Sequence, residues 1–559
     1  MKPKLKRIVA LLTAATLLLS GGGYLAYQAY ISARQARLVR QAHASLAKHN
    51  DRKALLSLQR ALRYNPNDLE ACRLMAAIAE RSRSPAALLL RSRVVELNPR
   101  SLEDRLALAQ TAMTFNDYGV ATNALSGVDV AGKRTAAYLN LAGAVETSAN
   151  QLAQAEADFR EAARLEPTNL APQLNLAVLH LQSTNAQAIA EARATLTRLS
   201  AIDSALRPHA VRQLLLDAMR TKQTNAATSL SKELIQLTNS VFTDRLLRLD
   251  VLLGNQKAEA IAVLPSFQRE AGTNLANVYE LARWQMSRLG PADTLTWLRT
   301  LPPATRTNQP VTLLVAHCQV ALGDWKGLQA SLDPQRWSEL EFVRHALRAR
   351  ALRGQDLTGG AKAEWELALK ATGNQKQALS MLLGLAAQWG WQSEAEELLW
   401  AIVNRYPEDK AAFQALSQSL FAGGRTRSLM QLYSQQLKRL PSDPGVKNNL
   451  AMTALLLEAT EMRPHDLARE VYEQVPTNSS YASTYAFSLY TQSKCADALK
   501  VLQRLRPEEL ENPSIAGYYG LILKATGDRA KAMTYLQRAS KAALLPEELK
   551  LFDRAKSGA

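Results

Sequence analysis

Cysteine is scarce. Cys72, Cys318 and Cys495 are the only three among 559 residues, they lie far apart, and no C-x-x-C pair exists. An odd, dispersed set excludes a disulfide framework and gives no zinc module. Aromatics are few, at 6%. Glycine and proline are not enriched, which excludes collagen-like and low-complexity chains. The seven histidines, His43, His49, His180, His209, His317, His345 and His465, form no H-E-x-x-H. No phosphate-binding G-x-x-x-x-G-K-[ST] and no nucleophile elbow G-x-S-x-G occurs. The glycines at 21–23 have no strand before them, and those at 359–360 lack the rest of a phosphate loop. His317 and Cys318 put a base beside a thiol, but adjacent helical residues point about 100° apart, so the pair reads as packing. The sequence therefore points to no catalytic centre, no cofactor and no metal.

Acidic residues are missing from the N-terminal region. Residues 1–64 hold twelve Lys/Arg against Asp51 alone, a net +11 of the chain's +18, so the other 495 residues carry only +7. The excess flanks an apolar run, which suits an anionic membrane surface better than a nucleic-acid groove. No charged residue occurs from Ile8 to Ala33. That length suffices to cross a bilayer, and Tyr24, Tyr27 and Tyr30 gather at one end as interfacial aromatics do. A cleaved signal peptide with Ser20 and Gly22 near the cut is the competing reading. The expectation is a single-pass anchor in residues 1–33, its basic tip cytoplasmic and the rest of the chain non-cytoplasmic, as in a bacterial inner membrane facing the periplasm.

Beyond this segment the chain is organised by a repeat. Helix-capping residues recur at Asp68, Ser101, Thr135, Asn169, Ser204, Asn239, Asn274, Asn308, Asn374, Asp409, Asp443, Asn478 and Asn512, in steps of 33–35 with one double step. Ser, Thr, Asn and Asp accept bonds from the exposed N–H groups at helix starts. Pro66, Pro99, Pro167, Pro407 and Pro441 keep the same phase and end helices. Each period holds two amphipathic helical stretches and no alternating strand. In 376–409, Leu379, Leu382, Leu383 and Ala386 mark one helix, Gly390-Trp391 the turn, and Ala395, Leu399 and Ile402 the second helix. Gly520, Leu523, Gly527, Ala532, Leu536 and Ala539 repeat the frame.

This pattern resembles the tetratricopeptide repeat (TPR) family. The resemblance implies an all-α fold: a right-handed α-solenoid of about fifteen helical hairpins after the single transmembrane helix, with small residues such as Ala395 and Ala532 where helices nearly touch. The organisation expected is an N-terminal array over 34–239, divergent Trp-rich repeats over 240–375, a C-terminal array over 376–545, and a capping helix and tail over 546–559. All eight tryptophans lie between 284 and 400. Trp325 and Trp365 fall on normally buried positions, whereas Trp284 and Trp389 could stack on a ligand.

The resemblance also places the sixth residue of each repeat in a groove lined by first helices. Asn140, Asn175, Gln213 and Asn449 stand there. Carboxamides both donate and accept, so a ladder of them suits the backbone of an extended peptide; alternatively they satisfy one another. The function expected is a non-enzymatic, membrane-tethered scaffold holding a partner protein or peptide, with no nucleic acid. An envelope export or assembly factor for a secreted protein or polysaccharide, and a regulatory subunit of a separate enzyme, are the alternatives.

Overall fold

The computed structural model describes residues 28–82, 84–333 and 336–557. Every regular element among them is helical. The helices follow one another as antiparallel pairs, and each packs mainly on its neighbours in sequence. This is a run of TPR-like hairpins. The chain divides into two compact units, residues 1–284 and 285–559. Seven hairpins, from the helix over 28–46 to Lys257–Ala271, make up the first. Seven more, from Val311–Leu322 to Arg529–Ala539, make up most of the second.

Local chemistry explains the period. The thirteen evenly spaced capping residues form a comb along the chain, and nine of them accept capping bonds: Asp68, Ser101, Thr135, Asn169, Asn274, Asp409, Asp443, Asn478 and Asn512. Ser204, Asn239, Asn308 and Asn374 do not, because the helices after them start later, at Arg207, Phe242, Val311 and Lys376. The double step hides a real hairpin. Its first helix, Glu341–Arg353, is capped in reverse: the Glu341 carboxylate accepts the Trp337 N–H at 2.9 Å. A second comb lies in the turns. The backbone is left-handed at Gly290, Gly323, Asp356, Gly390, Gly424, Glu458, Ser493 and Gly527, again at steps of 33–35.

Close approach is visible at Gly520. A Cβ on Gly520 would sit 3.0 Å from the Ala532 carbonyl and the Leu536 amide, and Ala532 is buried. Ala395 is half-buried and lines an open groove.

The expectation of a single-pass membrane protein is overturned: no helix among the described residues is long and apolar enough to cross a membrane. Residues 1–27, which hold most of the run assigned to the anchor, lie outside the described residues. From residue 28 the chain is already in a repeat helix. Its Val39 and Ala42 pack with Ala54 and Leu58 of Asp51–Tyr64. Tyr30 accepts a hydrogen bond from Arg34 at 2.8 Å, a polar partner one turn away.

Candidate partner-binding groove

In the first unit, polar pairs one repeat apart stitch successive first helices together. Arg73 of Leu69–Arg81 holds Asp104 of Leu102–Thr114 with two bonds, 2.7 and 2.5 Å. Arg212 of Arg207–Arg220 holds Asp244 of Phe242–Asn255 likewise, at 2.6 and 2.9 Å. Thr111 donates to Glu80, and Gln35 to Asp68, both at 2.5 Å.

Four of the residues expected to meet a partner belong to or border this seam. Asn175 donates to Asn140 at 2.9 Å, and both are half-buried. Those two amides thus engage each other. Gln213 is half-buried on the next first helix and joins neither. Trp284 is buried, and its indole N–H donates to Asp250 at 3.1 Å, so its ring has no open face for a ligand. Sequence reasoning missed the seam, although the recurrence of an Arg and an Asp 31 and 32 residues apart is the signal that could have found it.

The tryptophan-rich segment is mostly core. Trp284, Trp297, Trp337, Trp365 and Trp391 are buried, and Trp325, Trp389 and Trp400 pack against the second-unit core that holds Trp337, Trp365 and Trp391. In the second unit Arg350 lies over the rings of Trp325, Trp389 and Trp391 at 5.1–5.8 Å. Arg353 lies 3.9 Å from the Trp391 centroid and pairs with Glu394. Burial lowers the Arg350 pKa, with Arg353 adding to it. These cation–π contacts occupy faces of the Trp325, Trp389 and Trp391 rings.

Asn449 faces a groove, although its Oδ1 accepts from the Asn448 amide at 3.4 Å. It is exposed on helix Pro444–Leu456 and lines a groove of about 680 Å3 in the second unit. The opposite wall is helix Lys410–Ala422, which contributes half-buried Phe413 and Ser417 and exposed Gln414 and Gln418. Gln414 and Gln418, one turn apart, make no side-chain hydrogen bond with any described residue. Behind them, Ser417 and the Tyr433 hydroxyl are 2.6 Å apart, and Asn449 also bonds Tyr433. Gln436 donates to the Pro407 carbonyl at 3.0 Å, while its own buried Oε1 has no donor. Glu408, Lys410 and Asp443 form a charged rim. A larger groove of about 810 Å3 lies beside Trp391 and Ala395, but its charged groups Arg425 and Glu396 bind each other.

His317–Cys318 supplies no nucleophile. Cys318 is buried, and burial pushes its thiol up to about 11. It stays protonated near neutral pH. Among the described residues no group of three or more His, Cys, Asp or Glu is placed to hold a metal ion.

No family model matches the chain, and no curated protein matches it. Among solved structures it is similar to the crystal structure of the APC/C hetero-tetramer Cut9-Hcn1, at 13% identity and a TM-score of 0.26, over 91% of this chain and 97% of that one. It is also similar to the structure of Naa15/Naa10 bound to HypK-THB, at 11% identity and a TM-score of 0.26, over 94% and 96%. Likenesses of this size say nothing about a partner.

Proposed function

We propose that this protein is a non-enzymatic interaction scaffold that holds an extended segment of a partner protein in the groove between helices Lys410–Ala422 and Pro444–Leu456. The observation that carries the reading is the juxtaposition of free carboxamides, Gln414 and Gln418, with Asn449 around the half-buried Phe413 ring. Carboxamides recognise a peptide backbone whatever its sequence, and an aromatic floor takes one apolar side chain. In the first unit, the bond between Asn140 and Asn175 leaves less capacity for a partner.

The test is a photo-crosslinking amino acid placed at Gln414 or Gln418 in cells. A discrete set of protein adducts is expected, lost when Phe413→Ala is added. A probe at Glu397, exposed on the second helix of the preceding hairpin, is the control. Identical adducts from both positions, or adducts indifferent to Phe413, would overturn the reading.

A further inference from the structure

The C-terminal helix Pro546–Ser557 is placed unlike a simple end cap. A helix that only closed the last hairpin would touch Pro513–Ala525 and Arg529–Ala539. This one also meets first helices further back. Phe552 and Ala555 share a buried cluster with Tyr518, with Phe487 of Ser479–Thr491 and with Leu455 of Pro444–Leu456. The Phe552 and Tyr518 rings meet edge to face at 5.2 Å. Phe552 lies against Gly517, where any Cβ would collide with the ring. At its N-terminus the helix goes further still. Glu547 accepts a bond from Thr426, 121 residues earlier, and Pro546 closes over the left-handed turn at Gly424.

On Pro444–Leu456, Met452 and Leu456 pack against the cluster that holds Phe552 and Ala555, and they lie on the side of that helix that carries the groove residue Asn449. Asn449, Met452 and Leu456 follow at i, i+3 and i+7 on one helix, so the groove and the helix seat are continuous. The docking stripe of the helix is short. Leu545 just ahead of the helix, and Glu548, Phe552 and Ala555 on it, spaced 3, 4 and 3, are all buried. Glu548 accepts from the Tyr518 hydroxyl and from the Leu545 N–H, and Lys524 donates to the Ala555 carbonyl at 2.6 Å. The outer face is open, with Leu549 47% exposed. Beside the helix, a slot of about 500 Å3 lined by Leu456, Tyr490 and Leu551 stays uncovered. Residues 541–545, which tether it to the last hairpin, are non-helical.

We infer that the first-helix face of the last hairpins is a helix-binding site, and that the chain's own segment 546–557 is its tethered resident ligand. The ligand class is an amphipathic helix with a carboxylate in its first turn, an aromatic residue four positions on and a small residue three after that. A partner helix of this kind enters by displacing the resident. This deepens the proposed function, on whose groove it borders, by naming how access to that face is regulated.

The test uses the full chain with a protease site inserted between Ala542 and Ala543. A fluorescent peptide of residues 543–559 is the probe. The intact chain is expected not to bind it. After cleavage and dilution, the peptide should exchange with the severed helix one for one. Phe552→Ala in the peptide should weaken it about tenfold or more, as loss of a central aromatic anchor does. Gly517→Ala in the cleaved chain should abolish re-binding while circular dichroism stays helical. A severed helix that never exchanges, or a chain that unfolds on cleavage, overturns the inference, since the segment is then a permanent part of the core. Loss of the crosslinks at Gln414 with exchange intact would refute the peptide groove alone.

Discussion

Glu146 sits near the end of helix Ala136–Ser148 with one carboxylate oxygen buried and unpaired. Burial first, and the charge of Asp158 second, raise its pKa from 4.5 to about 7. The native state therefore holds a proton that the unfolded chain releases. Its stabilising contribution is complete below about pH 4.5 and is lost as pH rises towards 7. Glu146→Gln keeps the shape without the charge. It should leave stability nearly unchanged at pH 5 and raise it at pH 8, on the order of 1 kcal/mol once solvent screening of a half-exposed group is allowed for. Thermal melts at the two pH values check this, and an equal effect at both would refute it. Single residues such as this were the least legible from sequence. Asn140 and Asn175 were recognisable as facing residues, yet only the 35-residue offset between facing helices shows that they face each other. Trp284 was placed on the groove by its repeat position, whereas its N–H is fixed by Asp250 from the preceding first helix.

Hairpins were legible where capping chemistry marks them. Asp409, Asp443, Asn478 and Asn512 each bond the first turn of a helix, and few other side chains can. The middle of the chain blurs because Glu341 does that work in reverse and because Asp356 holds a left-handed turn that glycine holds elsewhere, as Glu458 and Ser493 do in the later hairpins. Between hairpins the stitching pairs carry an asymmetry that can be measured. Asp104 is 2% exposed, whereas the Arg73 side chain is 37% exposed. Burial by itself would raise the Asp104 pKa, but the bonds from Arg73, Ser101 and Asn98 hold it below the usual range. Removing the arginine (Arg73→Met) strands a buried carboxylate and should cost about 3 kcal/mol. Removing the acid (Asp104→Ala) leaves an arginine that can reach water and should cost only about 1–2 kcal/mol. The Arg73→Met deficit should shrink as pH falls, because the stranded carboxylate can then take up a proton. Urea unfolding of both variants at pH 7 and pH 4 tests this, and equal costs would mean that the seam contributes through packing alone.

At the scale of the molecule, contacts run mainly between neighbours in sequence, so stability resembles a chain of local interfaces. The C-terminal helix breaks that rule within the second unit by joining Glu547 to Thr426 across 121 residues. A lesion near the end should therefore be felt in two places. At Gly520 a larger side chain meets backbone, the Ala532 carbonyl and the Leu536 amide at 3.0 Å, which cannot swing aside. Gly520→Leu should destabilise this crossing by about 1–3 kcal/mol. In amide hydrogen exchange that corresponds to roughly 5- to 150-fold faster opening. Protection should fall in Pro513–Ala525, Arg529–Ala539 and Pro546–Ser557. It should fall again around the turn at 423–426, which the C-terminal helix holds, and remain unchanged in hairpin 136–165. Steady decay along the chain without a second minimum at that turn would show that the bond to Thr426 transmits nothing. Uniform loss over both units would show that the array unfolds as a single cooperative block.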